Sequence, residues 1–530
     1  MAPVNEIEFL IGLLAVVGLL ALLARTFGVP YPIFLVLGGL GLGLVPALPD
    51  IDLPPDVILL VFIPPLLLSA AFFSSPRELR AHARPIGMLA IVLVLITTSA
   101  VAAVAHFAIG LPWAAAFTLG AIVAPTDPVA AEATFKRLGV PERVSTVIGG
   151  ESIVNDGSAL VFYKIAVGAA VYGTFSLFQA GLDFILLSAG GIALGLVVAR
   201  LATPLYGRLT DTALLVAFIL IPAYAVYVVA ERIGVSGILA VVSLGLYIGW
   251  QAPKRFTPET RLQSYSFWHT LVFLLDSLLF VLIGLQFPTI LENLQDRSVS
   301  EVLFYAALVC GTVVGLRLLW FFSVPYANPL LDRLLKTQYL RFPWQERLVM
   351  GWSGMRGAIS LAVALALPLE TTAGAFPERD LILFLTVCVI FVTLVLQGIT
   401  LPVLIVRLGV IDEGHHTRME ELEARLEASR AVLERIEDLG EDGEEISSRT
   451  RERLRDLYQE RVERYEAGLE AGQITEEYQE SSAAWSRWRQ ELFEAERSAI
   501  LSLRDEGKIS AEVMRRVERD IDLEELRFSS

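Results

Sequence analysis

The sequence predicts an all-α polytopic membrane protein: thirteen transmembrane helices forming two inverted six-helix repeats with crossed, interrupted helices, followed by a helical cytosolic C-terminal domain. Three observations carry this. Of the 530 residues 55% are apolar and 19% charged, with mean hydropathy +0.60, against roughly 45–50% and about 25% in soluble globular chains. Apolar runs of about 20 residues, the length that crosses roughly 30 Å of hydrocarbon, recur from Ile7 to Leu408. The basic residues between the runs fall on alternate loops, as they do when one side of the membrane is cytoplasmic. An ordinary soluble enzyme is excluded.

The runs lie near 8–25, 30–49, 56–74, 85–109, 112–134, 143–171, 180–203, 212–230, 234–252, 265–288, 301–326, 346–369 and 381–408. Loops after odd runs carry Arg25; Arg77, Arg80 and Arg84; Lys136, Arg137 and Arg143; Arg200 and Arg208; Lys254, Arg255 and Arg261; Arg333, Lys336, Arg341 and Arg347; and Arg407. Loops after even runs hold Arg232, Arg297 and Arg379 among acids such as Asp50, Asp52, Asp56, Glu292, Asp296, Glu370 and Asp380. An odd count with this alternation puts the N-terminus outside and the C-terminus in the cytoplasm. The opening MAPVNEIEFLIGLL has no basic n-region or small-residue cleavage site, so the first run is expected to stay as a span.

Charge is concentrated at one end. Residues 413–530 hold 32 of the 57 acidic and 19 of the 42 basic residues, hence 13 of the 15 net negative charges. Nucleic acid, which needs a basic surface, is excluded as a partner. Cys310 and Cys388 both sit in apolar runs, so no disulfide framework is indicated.

A charge at mid-membrane costs at least ~2.5–3.5 kcal/mol and needs a partner or a function. The candidates are Asp127, Glu151, Asp156, Asp276, Arg317 and Arg356, whereas Lys164 lies near the outer end of its span and can snorkel. In span 5, Pro125 and Pro128 bracket Thr126 and Asp127 and disfavour helix there, so the helix is expected to unwind and free its carbonyls. Span 12 has Gly351, Gly354 and Gly357 around Arg356 and reads as a second interruption. Seven spans separate the two, so these helices run in opposite directions, as inverted repeats of spans 1–6 and 8–13 require. Broken helices in corresponding positions point to a secondary-transporter binding site; the plainer alternative is that the prolines and glycines only kink or pack the helices.

Span 6 contributes GGESIVNDGSA at 149–159. At about 100° per residue Ser152 and Asp156 share a face with Asn155 beside them, while Glu151 lies ~140° from Asp156. Asp156, Ser152, Asn155 and the freed carbonyl near Thr126 offer only oxygen to a cation, which suits Na⁺ or Li⁺ and disfavours soft metals. Glu151 faces elsewhere, and Arg356 is its natural partner in a structural ion pair.

Taken together, FIPPLLLSAAFF at 62–73, PTDPVAAEA at 125–133, GGESIVNDGSA, LLDSLLFVLIGLQF at 274–287, GWSGMRGAISLAVALALP at 351–368 and VLQGITLPVLIVRLG at 395–409 resemble the monovalent cation/proton antiporter family, which contains the sodium/hydrogen exchangers. The resemblance covers about residues 8–410. It implies a transmembrane antiporter domain over 1–411, with spans 4–6 and 11–13 as a core moving against a dimer-forming domain of spans 1–3 and 7–10, and a separate cytosolic, regulatory or merely appended domain over 412–530. It implies that Asp156 is the ion-binding aspartate with Asn155 as neutral neighbour, that Thr126, Asp127 and Ser152 join the site, that Asp156, Ser152 and Thr126 hold the transported Na⁺, and that Glu151 and Arg356 are the structural pair. Ser69 stands where many members carry a span 3 carboxylate, and Asp276 where relatives often have a neutral residue. Asp276 could bind a cation, replace the missing carboxylate or pair with Arg317.

The function this implies is exchange of Na⁺ or Li⁺ for H⁺ across the bacterial inner membrane, serving pH homeostasis, in a homodimer embedded in the lipid bilayer, with no resident cofactor. One carboxylate that holds either a proton or a partly dehydrated cation is enough for exchange, and a costly empty site couples the two fluxes. With Asp156 as sole carrier the exchange is one for one and electroneutral. K⁺/H⁺ antiport is the main alternative, because cavity size sets selectivity, and a cation channel is a lesser one. An intramembrane hydrolase fits poorly: His106 and His269 lie in no nucleophile motif.

In the tail, Leu422, Leu426, Ser429, Leu433 and Ile436 follow a 4,3,4,3 spacing, a seam for self-association or packing, interrupted at Gly440 and Gly443. Further amphipathic segments are expected at about 447–471, 474–501 and 509–527, with Trp485 and Trp488 available to pack.

Overall fold

In hydrocarbon a backbone can satisfy its N–H and C=O groups only within its own segment, so apolar runs close into helices. The computed structural model describes residues 2–27, 31–45, 54–173, 175–206, 208–209, 211–295, 297–335, 342–372, 374–411, 415–441, 448–470 and, with gaps, 492–522. They form two units, Met1–Ile411 and Asp412–Ser530.

In the first unit the helices are α1 (Ala2–Phe27), α2 (Tyr31–Gly43), α3 (Pro55–Phe72), the short α4 (Pro76–Ala81), α5 (Ala83–Ile109), α6 (Trp113–Val123), α7 (Val129–Leu138), α8 (Glu142–Tyr172), α9 (Leu177–Tyr206), α10 (Thr212–Arg232), α11 (Gly237–Arg255), α12 (Pro258–Glu292), α13 (Val299–Leu335), α14 (Trp344–Trp352), α15 (Ala358–Leu365) and α16 (Arg379–Leu408). Seven of these, α5, α8, α9, α10, α12, α13 and α16, are long and apolar enough to cross a membrane, and α1, α2, α3 and α6 contain shorter apolar stretches. Side chains of Asp211, Ser236 and Thr257 accept an N–H in the first turns of α10, α11 and α12. Gly139 and Gly173, at φ 66° and 70°, end α7 and α8 in the left-handed conformation that a residue with a Cβ adopts at a cost.

The element ends differ from the apolar runs in places. Helix α2 stops at Gly43, and 46–53, with Asp50 and Asp52, lie outside the described residues. Helix α13 continues to Leu335, past the apolar run that ends near 326; the side chain of Arg333, and Lys336 and Arg341 altogether, lie outside the described residues, as do the side chains of Arg25 and Asp56.

Lipid is as apolar as a leucine side chain, so helices associate through close packing. Backbone meets backbone at glycines. On α2 and α12, Gly39 faces the Val281 carbonyl and Gly284 the Val36 carbonyl; on α3 and α11, Gly249 faces the Phe72 carbonyl; on α9 and α11, Gly195 faces the Ala240 carbonyl. The outer faces carry large apolar side chains such as Leu19, Phe178, Leu201 and Leu319, all at least 58% exposed, as a lipid-facing surface does.

In the second unit α17 (His415–Glu441) and α18 (Ser448–Glu470) pair antiparallel. Leu422 lies beside Gly468, Arg430 bonds Glu466 at 2.7 Å, and Arg455 lies 4.0 Å from Glu437. The 4,3,4,3 seam packs within this hairpin, with Leu426 and Ser429 buried. Trp485 and Trp488 lie outside the described residues.

A methyl group on Gly284 would strike the Val36 carbonyl and the Gly39 backbone, whereas one on Gly41 meets nothing within 4 Å. Gly284→Ala is therefore expected to lower stability by roughly 1–3 kcal/mol, with Gly41→Ala neutral or slightly stabilising, as read by thermal unfolding in detergent.

Candidate functional site

Both expected interruptions are present: the backbone is non-helical over 124–128, between α6 and α7, and over 353–357, between α14 and α15. They touch directly, the Asp127 N–H donating to the Met355 carbonyl at 2.8 Å. Four helix ends therefore meet at one place. A helix start presents unpaired N–H groups and partial positive charge, and a helix end presents carbonyls and partial negative charge.

One acid serves both starts and one base both ends. The Asp127 carboxylate accepts the Val129 N–H of α7 at 3.0 Å and the Ala358 N–H of α15. A Cβ at Gly357 would overlap that carboxylate, which explains the glycine. The buried Arg356 guanidinium donates to the Val123 carbonyl at 3.0 Å and the Ala124 carbonyl at 3.4 Å, where α6 ends, and to the Gly354 carbonyl just beyond α14. Its backbone N–H reaches the Thr393 hydroxyl of α16 at 3.2 Å.

This changes the expected ion pair. Glu151 binds Arg317 of α13, not Arg356, through two bonds of 2.5 and 2.9 Å between side chains 1% and 2% exposed. The physical reason is that Arg356 is already held by carbonyls at the crossing, while Arg317 also reaches the Met350 carbonyl of α14 at 3.2 Å. The pair fixes α8 to α13. Asp276 therefore does not pair with Arg317. Lys164, expected to snorkel, bonds Glu231 of α10 at 2.5 and 2.6 Å.

The remaining candidates lie on α8 and the first break. The Thr126 hydroxyl donates to Glu151 at 3.2 Å and accepts from the Asn155 side-chain NH₂ at 2.9 Å. The Ser152 hydroxyl bonds the Asp156 carboxylate. Asn155, Asp156 and Ser152 are all buried, and the Asn155 Oδ1 has no hydrogen-bond partner. Asp127 is half-buried and within electrostatic range of Asp156. Ser69 is buried on α3, but among the described hydrogen bonds its hydroxyl makes none to Asp156 or either break. Asp276 is buried on α12, with Asp127 and Tyr31 in electrostatic range.

Sequence reasoning passed over Thr393, Gln397 and Thr400 on α16. Thr393 holds the second break, Thr400 accepts the Trp352 indole N–H at 2.8 Å, and Gln397 is 1% exposed with neither amide atom bonded. Their signal was polar residues spaced four and three apart in an otherwise apolar run.

The arrangement offers oxygen ligands beside one carboxylate at a break in two helices, and comparison with known proteins agrees. The sequence profile of the family described as "Sodium/hydrogen exchanger, transmembrane" matches residues 12–407. The chain belongs to this family. The Na⁺/H⁺ antiporter ApNhaP of Aphanothece halophytica is 33% identical over 77% of this chain and 74% of its own length. A sodium, potassium, lithium and rubidium/H⁺ antiporter of Bacillus subtilis is 35% identical over 71% and 58%. The sodium proton antiporter MjNhaP1 of Methanocaldococcus jannaschii has the same fold, with TM-score 0.62 and 22% identity over 77% of this chain and 99% of that one. This exchanger is thus a multi-pass membrane protein and a secondary transporter, not an enzyme, that exchanges a monovalent cation for protons.

Removing either partner of a buried ion pair leaves the other charge uncompensated, at roughly 3–5 kcal/mol. Glu151→Gln and Arg317→Gln are each expected to lower stability by about that much, and the double variant by clearly less than their sum. Thermal unfolding of the cycle checks this; a larger coupling of Glu151 to Arg356 than to Arg317 would contradict the pairing.

Proposed function

We propose that this exchanger carries Na⁺ or Li⁺ one way and a proton the other through competition for Asp156. The observation that carries the reading is what the crossing leaves over. Asp127 is met by two helix starts, Arg356 by carbonyls, and Glu151 by Arg317. Among the described core residues at the crossing, Asp156 alone has no compensating charge, and on the same stretch of α8 are Ser152 and Asn155, whose Oδ1 has no partner. An oxygen-only set with a single negative charge suits a hard monovalent cation. Thr126 and Asp127 belong to the same site as its scaffold, the first through Glu151 and Asn155, the second through the helix starts.

In this reading the first unit crosses the plasma membrane thirteen times as two inverted repeats, N-terminus outside, with α6–α7 and α14–α15 as corresponding broken helices. Spans 4–6 and 11–13 rock as a core against a homodimer-forming domain of spans 1–3 and 7–10. The charge alternation of the loops supports the orientation, and 412–530 is a cytosolic, regulatory domain. Exchange by one carrier carboxylate is one for one, so no net charge crosses, and the role is pH and sodium homeostasis. K⁺ is the second reading, favoured by the Bacillus subtilis relative, whose name includes potassium and rubidium.

Asp156→Asn removes the charge that the described core residues at the crossing leave uncompensated, and is expected to abolish cation-driven proton movement in proteoliposomes while the protein still purifies folded; retained exchange would overturn the assignment. In the same vesicles the unaltered protein is expected to respond to Na⁺ and Li⁺ well before K⁺, at a rate indifferent to an imposed membrane potential. A rate that follows the potential refutes electroneutrality.

A further inference from the structure

We propose that Asp276 is a second cation-accepting carboxylate, carried by the wall against which the core moves, which draws Na⁺ or Li⁺ to the mouth of the Asp156 site. The proposal rests on the transport reading just given and adds a binding group to it.

Among the described residues, six acidic and basic side chains gather around the crossing. Glu151 and Arg317 neutralise each other, the Asp127 carboxylate is met by the N–H groups of two helix starts, and Arg356 is met by three carbonyls. Asp156 and Asp276 are left over. Asp276 is 6% exposed, and among the described residues it has no hydrogen-bond donor and no ion-pair partner. Its electrostatic neighbours are the carboxylate of Asp127 and the phenol of Tyr31. A carboxylate removed from water, without a donor and within the field of a second acid, is stable only with a proton or a cation that the neighbouring side chains do not supply. During transport a monovalent cation takes the proton's place there.

Its position makes this group part of a route. Tyr31 opens α2, its ring 5.5 Å from that of Phe273, one turn before Asp276 on α12. The two helices run side by side through Gly39 and Gly284 and form one wall. Beyond Asp276 the seam between this wall and α15 and α16 is a wholly apolar cleft, with Ile33, Val36, Phe280 and Ile283 on one side and Leu361 and Ile390 on the other. A hydrated cation has no ligand there. In the proposed topology α2 and α12 both start at the cytoplasmic face, so the cleft closes the outer half of the seam. Asp276 and Tyr31 stand at its inner end, beside the crossing. A cation arriving from the cytoplasm meets Asp276 on the fixed wall before Asp156 on the moving core.

The test uses the full chain in proteoliposomes with Na⁺ and then Li⁺ as the probe ion. Asp276→Asn is expected to raise the half-saturating Na⁺ concentration at least about tenfold, while the maximal rate falls by less than about threefold, a split that marks cation recruitment and not chemistry at the carrier. Asp276→Glu, which keeps the charge, is expected to restore most of the affinity. Asp276→Ser serves as a second neutral variant, and the Na⁺ dependence of thermal unfolding in detergent gives a reading independent of transport. Half-saturation within about twofold of the unaltered protein in both neutral variants overturns the proposal, as does loss of exchange in Asp276→Glu and both neutral variants alike while they unfold normally. Failure of the unaltered protein to exchange any cation would instead overturn the transport reading, so the two failures are distinguishable.

Discussion

Four helix ends buried at one point are the constraint on which the rest of this structure depends. Each carries groups that a membrane interior cannot solvate. The chain meets the demand with two side chains of opposite charge: Asp127 at the starts of α7 and α15, and Arg356 at the break between α14 and α15, reaching back to the end of α6. Each is where the partial charge of the helix ends is opposite to its own. The arrangement is self-consistent only if the two breaks are in contact, which the Asp127 to Met355 bond achieves, and only if position 357 has no side chain.

From this the composition of the site follows. Because Arg356 is committed to carbonyls, Glu151 turns to Arg317, and the Asn155 amide and Thr126 hydroxyl form a relay that ends on the same carboxylate. The relay engages the NH₂ of Asn155 and leaves its Oδ1 unmet, on the residue that precedes Asp156. A carboxylate, a hydroxyl and an orphan carbonyl oxygen thus collect on one stretch of α8, produced by the way the neighbouring charges are neutralised. The scaffold and the cation ligands are different atoms of the same few residues.

Much of this was legible in the sequence where the cause is local. Pro125 and Pro128 restrict their own backbone, and Gly354 and Gly357 flank a buried arginine, so both interruptions could be located before any packing was known. The 100° step of a helix placed Ser152 with Asp156 and turned Glu151 away. The same step names the face of a helix but not the helix standing opposite, which is why Glu151 was matched to Arg356 when Arg317 was an equal candidate. Thr393 was hidden for another reason: a threonine in an apolar helix ordinarily bonds its own preceding turn, as this one does with Val389, and its second role toward Arg356 leaves no trace in spacing. In the tail the leucine seam was real, and its partner proved to be α18 of the same chain, which heptad spacing alone does not distinguish from a second copy.

Two kinds of contact divide the transmembrane unit. Where α2 meets α12, α3 meets α11 and α9 meets α11, carbonyls press on glycines, and such a junction has no room to slide by even part of a residue. Within the other group, the Glu151 to Arg317 pair and the Arg143 to Glu346 pair tie α8 to α13 and to α14. Between the groups, the cleft of Ile33, Phe280 and Leu361 brings only apolar side-chain surfaces together, while elsewhere the Lys164 to Glu231 bond joins α8 to α10 and the Asn293 to Asp380 bond joins the end of α12 to α16. Dispersion contacts like those at the cleft are individually weak and interchangeable, so one apolar side chain can be traded for another as the surfaces shift. The junctions that resist sliding and the seam that permits it follow the division between fixed wall and moving core in the proposed transport cycle. In that cycle the polar site at the crossing would be carried intact, because every bond that builds it lies on the same side of the seam.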